Sequence, residues 1–95
     1  MYRGTTPTFL IELPESVAVS SFDAAFLTFE QNGDTVLEKD LTAMTLDTEN
    51  NTITVTLPQE ETLAFAGDKV VRYQLRFRIG GSAFATQKWQ VTVEQ

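Results

Sequence analysis

The chain has 95 residues, a net charge of −6, 42% apolar and 11% aromatic residues, and neither cysteine nor histidine. That length predicts one domain over residues 1–95, whose single core buries about 60–65% of the unfolded surface, and the composition excludes wholesale disorder. The missing residue types exclude disulfides and thiolate metal sites and remove the commonest general base, while the acidic balance disfavours a nucleic-acid partner.

The first predicted strand is Thr8–Leu13, where Phe9, Ile11 and Leu13 alternate with Thr8, Leu10 and Glu12. Pro14 closes it, because proline cannot donate to a ladder. Glu15–Ser21 reads as a loop or a ragged edge segment, in which Val17 and Val19 suggest a little pairing. The second strand, Ala24–Gln31, places Ala25, Leu27 and Phe29 on one face and Phe26, Thr28 and Glu30 on the other. Asn32-Gly33 is a strong hairpin signal. The return strand Thr35–Leu41 carries adjacent Val36 and Leu37, so burying Leu37 and Leu41 requires a three-residue loop, Asn32-Gly33-Asp34. A third hairpin joins Ala43–Asp47 to Thr52–Leu57 around Asn50-Asn51. A two-residue type I′ loop there sets Leu46 opposite Val55 and Met44 opposite Leu57. Residues 58–65 break the alternation: Pro58 followed by Glu60-Glu61 predicts one helical turn whose Leu63 or Phe65 plugs the end of the fold.

The longest ribbon comes last. Val71, Tyr73, Leu75, Phe77 and Ile79 alternate with Arg72, Gln74, Arg76 and Arg78 over Val70–Ile79, a strand with one dry and one wet face. The return strand is Ala83–Val93. A two-residue loop at Gly80-Gly81 would mix the faces. The expectation is therefore a three-residue loop, Gly80-Gly81-Ser82, with Ile79 opposite Ala83, Phe77 opposite Ala85, Tyr73 opposite Trp89 and Val71 opposite Val91. Gln87 then falls on the dry face, which calls for a hydrogen-bond partner or a bulge. About seven strands, turns every 8–12 residues and no long helix predict an all-β, immunoglobulin-like two-sheet antiparallel sandwich, with a partly open barrel as the alternative.

The candidate functional feature is a basic face. Arg72, Arg76, Arg78 and Lys88 share one face of the last ribbon in an otherwise acidic chain, which fits docking of an acidic protein surface, a phosphate or a carboxylated glycan. The plainer reading is a solvated face whose arginines pair with carboxylates on a neighbouring strand. Tyr2, Phe22, Phe26 and Phe84 fall off the core parity, and two of them contiguous with the arginines would mark a binding or self-association patch. Glu38 with Asp40, and Glu60 with Glu61, look too exposed for acid–base work, and Asp47, Glu49 and Asn50 match no calcium loop. The chain is therefore expected to carry no catalytic, cofactor or metal site. No run reaches the roughly 18 apolar residues of a membrane span. The start, Met1-Tyr2-Arg3-Gly4-Thr5-Thr6-Pro7, has no apolar signal region, so the expectation is a complete small protein not exported by its own N-terminus.

Arg3-Gly4-Thr5-Thr6-Pro7-Thr8-Phe9 with Leu13-Pro14, then Thr28-Phe29-Glu30-Gln31, Leu57-Pro58-Gln59-Glu60-Glu61-Thr62-Leu63 and Gln74-Leu75-Arg76-Phe77-Arg78 resemble segments of small prophage-encoded proteins of Gram-positive bacteria. That family in turn resembles the N-terminal immunoglobulin-like domain of phage baseplate upper proteins. Pro58 departs from the family, where a threonine is commoner. The resemblance implies a non-enzymatic structural module of a tail or baseplate, located in a virion or the bacterial cytoplasm. Its partners would be other protein subunits or further copies of itself. The alternative is a sandwich that binds a carbohydrate or another ligand through exposed aromatics, with a glycan as the first candidate.

Overall fold

The computed structural model describes residues 1–94. Its strands are β1 (Thr8–Glu12), β2 (Ala24–Gln31), β3 (Asp34–Asp40), β4 (Thr45–Asp47), β5 (Thr52–Thr56), β6 (Val70–Ile79), β7 (Ser82–Ala85) and β8 (Trp89–Thr92), with one helical turn, α1 (Gln59–Thr62), between β5 and β6. They form two antiparallel sheets, one in the order β1-β5-β4 and the other in the order β3-β2-β6-β7, with β8 also pairing β6. The chain crosses between sheets after β1, β3 and β5. This is the order of immunoglobulin strands B, E and D in one sheet and C′, C, F and G in the other. The segment before β1 contributes a parallel bridge between Tyr2 and Glu94. Arg3 N donates to Glu94 O at 3.0 Å, Glu94 N to Met1 O at 2.7 Å and Met1 N to Thr92 O at 3.0 Å.

The inward parity of each strand fills the core as the alternation predicts. Ile11, Ile53 and Val55 come from the smaller sheet; Ala25, Leu27, Phe29, Val71, Leu75 and Phe77 come from the larger. Phe9, Phe29 and Tyr73 meet between the sheets with ring centroids 5.0–5.8 Å apart. The helical turn delivers Phe65, not Leu63, into the core: Phe65 is buried and Leu63 half exposed. Burying such a ring contributes about 1.5–3 kcal/mol. Thr62, also buried, accepts from Gly4 N at 3.0 Å and lies within donating distance of Thr5 O and Gln59 O. Gln31, buried at the end of β2, exchanges two hydrogen bonds with the backbone of Ala66, at 3.0 and 2.8 Å.

Three loops differ from expectation. Ser82 pairs with Ile79, so the last hairpin closes with the two residues Gly80 and Gly81, both at positive φ, as a type I′ turn requires. Phe77 therefore faces Phe84, not Ala85, and Ile79 faces Ser82, not Ala83. Lower down, Tyr73 faces Trp89 and Val71 faces Val91 as expected. The extra residue lies in the break at residues 86–88, which splits the predicted single return strand into β7 and β8. Thr86 secures that break: its N–H donates to Leu75 O at 2.9 Å, and its hydroxyl accepts from Leu75 N at 3.2 Å and donates to Gln87 O at 2.9 Å. Gln87 is thereby turned to solvent.

The β2–β3 hairpin repeats the pattern. Asn32 and Gly33 make a two-residue turn, and the register shifts between Phe29 and Glu30, leaving Val36 as the bulged residue. In both ribbons a short turn plus a bulge gives the parity that a three-residue loop would give. The third hairpin departs further. Asp47 pairs with Thr52, so the loop is residues 48–51, and Leu46 faces Ile53 rather than Val55. The Asp47 carboxylate accepts from Glu49 N, Asn50 N and Asn50 Nδ2 at 2.8–3.1 Å, which folds the four residues into a closed turn. Asn51, at φ +56°, aims its side chain away from this turn into the β1–β2 connection. Its Nδ2 lies 2.7–3.2 Å from the carbonyls of Leu13, Pro14 and Val17, and its Oδ1 accepts from Val19 N at 3.0 Å.

Candidate protein-binding face of the five-stranded sheet

Successive β6 residues point to opposite faces, and with Val71, Leu75 and Phe77 inward the strand sets Arg72, Arg76 and Arg78 on the outer face of the larger sheet, as predicted. Beside them β2 contributes Ala24, Phe26, Thr28 and Glu30, because Ala25, Leu27 and Phe29 take the core side. Lys88 reaches this face from the break between β7 and β8.

The four basic residues divide into two pairs. Arg76 donates to Glu38 Oε2 at 3.0 Å and to Thr28 Oγ1 at 3.3 Å, crossing β2 to reach β3. Lys88 Nζ donates to Glu30 Oε1 at 2.8 Å. Both ion pairs are largely solvated, so each contributes about 0–1 kcal/mol. Arg72 and Arg78 make no ion pair among the described residues. Arg72 lies opposite Glu30 on β2, whose carboxylate Lys88 holds, and Arg78 lies between Ala24 and Ala83, neither of which offers a charge.

Those alanines open a shallow groove of about 570 Å³, floored by Ala24, Ala83 and Ala85 and bounded by Phe26, Arg76 and Arg78. Phe26 pairs across strands with Arg76 and stays 39% exposed. Phe84 reaches the groove from the sheet edge, though its ring is stacked on Phe77 at 5.4 Å. Of the four off-parity aromatics, Phe26 therefore stands among the arginines, and Phe84 meets the groove only at its margin. The other two do neither: Phe22 packs on Phe77 at 4.7 Å as part of the core margin, which corrects its expected exposure, and Tyr2 lies by the chain ends. The alanine floor is the component that sequence reading missed. Its signal was available, since Ala83 and Ala85 share a parity, but the three-residue loop assigned them to the dry face. A second depression, between Arg72, Arg76 and Lys88, measures about 200 Å³, below the roughly 300–1,000 Å³ of small-ligand pockets.

Of the carboxylates considered for chemistry, Glu61, Asp40 and Asp47 are engaged elsewhere, and Glu38 is held by Arg76. Glu61 accepts both of its bonds from Lys39, at 2.5 and 2.9 Å, on the inner side of β3. Asp40 accepts from the Thr42 hydroxyl at 2.5 Å and from Thr42 N at 3.1 Å, capping the 3₁₀ turn Leu41–Ala43. The Thr42 hydroxyl, aided by that N–H, holds the Asp40 carboxyl below the usual range, and the Asn50 amide does the same for Asp47. Among the described residues no group of three acidic side chains is placed to hold a metal ion, and no helix is long and apolar enough to cross a membrane.

No family model matches the sequence, and no curated protein matches it either. Among solved structures, the V domain of amphioxus IgVJ-C2 aligns over 99% of this chain and 97% of its own, with 14% identity and a TM-score of 0.38. The strand order itself carries the immunoglobulin-like assignment.

Proposed function

We propose that the chain is a non-enzymatic assembly module of a phage or prophage tail or baseplate, acting through protein–protein contacts on the outer face of its larger sheet. The observation that carries this reading is the groove in which Phe26 lies beside Arg76 and Arg78 over a floor of alanines. Aromatic residues and arginine are the types enriched where protein interfaces are most buried. An arginine without a carboxylate can also take one from a partner at no cost to an existing pair. The tail or baseplate setting rests on the sequence resemblance; the mode of action rests on the face. The strands set Phe26 on this face while Phe84 turns its ring to the inner side, so the two rings form no common platform for stacking a sugar. That favours a protein partner over a glycan.

The test is the mass in solution by light scattering across a salt series, with Arg78→Glu and Phe26→Ser as variants. An oligomer that shrinks with salt and is lost in both variants supports the reading. A strict monomer at every salt and at high concentration sinks self-association through this face. Absence of the chain from purified particles after prophage induction would sink the structural role itself.

A further inference from the structure

The outer face is small for the task. Four strand positions and about eight residues per strand give a footprint of roughly 500 Å², against about 800 Å² per partner in a standard interface. A sheet edge adds to it, and the two edges of this sheet differ. On the β3 side Glu38, Lys39 and Asp40 place charges along the strand, which disfavours any neighbour without matching charge, and the bulge at Val36 confines regular pairing to Leu37–Asp40. On the other side β8 is met at its end by Met1–Arg3, but β7 is bare. Ser82, Ala83, Phe84 and Ala85 are all exposed, and they carry no charge and no proline.

The ladder shows which backbone groups are left over. Thr86 N donates to Leu75 O, and Arg78 O accepts from Asp23 N on the β2 side. Antiparallel pairs alternate between bonded and non-bonded, so Arg76–Ala85 and Arg78–Ala83 are the non-bonded pairs. The N–H and C=O groups of Ala83 and Ala85 therefore point away from β6, off the sheet.

Resting on the reading of the chain as a protein-assembly module, we infer that β7 takes strand β3 of a second copy, continuing the sheet head to tail. Within one copy β7 runs opposite to β3, so a neighbour in the same orientation presents β3 antiparallel to β7. The regular part of β3, Leu37–Asp40, matches β7 in length. With Ala85 opposite Glu38 and Ala83 opposite Asp40 of the next copy, Arg78, which has no ion pair among the described residues of the single copy, faces acids two strands away across methyl groups. That span is already bridged inside the chain, where Arg76 on β6 reaches Glu38 on β3 over Thr28. Glu38 keeps Oε1 for the second arginine, since both of its intrachain bonds use Oε2. Arg78 gains the carboxylate that it lacks in the single copy. Such a contact uses two different surfaces and builds rings or filaments rather than closed pairs.

Sedimentation velocity of the full chain over a concentration series, at low and high salt, tests this. The mass should grow past two copies and fall with salt. Ala85→Pro removes a donor that faces away from β6, as edge positions tolerate; it should leave the thermal midpoint unchanged and weaken association at least tenfold. Arg78→Glu and Asp40→Lys should each weaken association alone and restore it when the two chains are mixed. A mass that stops at two copies, or one that Ala85→Pro leaves unmoved, overturns the edge contact. If Phe26→Ser still abolishes that assembly, the binding-face reading survives the failure. A monomer throughout overturns the edge contact and leaves the face to a different protein.

Discussion

Replacing Asn51 by alanine should destabilise the fold more than any other single change in an exposed turn. The side chain lies in a loop, yet its amide ties together Leu13, Pro14, Val17 and Val19, residues 32–38 positions away. Two amide hydrogens serve three carbonyls, and one carbonyl oxygen serves Val19 N. Counted by hydrogens that is three bonds, each contributing about 1 kcal/mol net. The backbone at φ +56° adds about 1 kcal/mol against alanine, which tolerates the left-handed region less well than asparagine. The expected loss is about 4 kcal/mol, a fall in thermal midpoint of roughly 15–30 °C for a domain of this size. Urea unfolding followed by Trp89 fluorescence measures it. Asn51→Gly should cost about 1 kcal/mol less than alanine, because only the hydrogen bonds are lost. Asn51→Asp keeps the acceptor for Val19 N but turns a carboxylate toward three carbonyls. That raises its folded-state pKa, so its deficit should shrink as pH falls through that value and the group becomes a donor. A loss below about 1 kcal/mol for Asn51→Ala would refute the claim that this side chain holds the β1–β2 connection.

Two further outcomes follow from the buried and the exposed polar groups. Thr62→Val keeps the shape but leaves Gly4 N without its acceptor and removes the hydroxyl's own bond to Thr5 O or Gln59 O; it should cost about 1–3 kcal/mol in urea unfolding, and Thr62→Ser should recover most of it. For Asp40 and Asp47 the Thr42 hydroxyl and the Asn50 amide depress the folded-state pKa. Their contribution to stability is therefore complete above the unfolded-state value and is lost as pH falls through the folded one. Carboxyl titration by NMR should place both below the same aspartates in unfolded peptides, and Thr42→Ala should move Asp40 alone back up.

Period-two patterning made the strands and the dry face of β6 legible, since each inward residue from Val71 to Phe77 is at least half buried. The loops were less legible for a definite reason. Parity counts whether an odd residue is present, not where it sits, so a three-residue turn and a two-residue turn followed by a bulge are indistinguishable in the pattern. The structure puts the odd residue at Val36 and in residues 86–88. The arginine face was legible as a face, but its division was not: whether an arginine finds a carboxylate depends on the register of β2 against both β3 and β6. Asn51 was read as a turn residue because nothing local distinguishes a side chain that folds back on its own loop from one that reaches another.

The parallel clasp at the chain ends has a mechanical consequence. Met1–Arg3 and residues 92–94 run side by side in the same direction and share three backbone hydrogen bonds. Tension that draws these segments apart along their length loads those bonds together, in shear, instead of peeling them one by one. The clasp is short, so it would slip first and lengthen the molecule slightly. Force would then pass to β1 and β8, the strands next to the clasp along the chain, which are held by their pairing with β5 and β6. A module wired in this way yields in two stages under load, giving a little before its interior is opened.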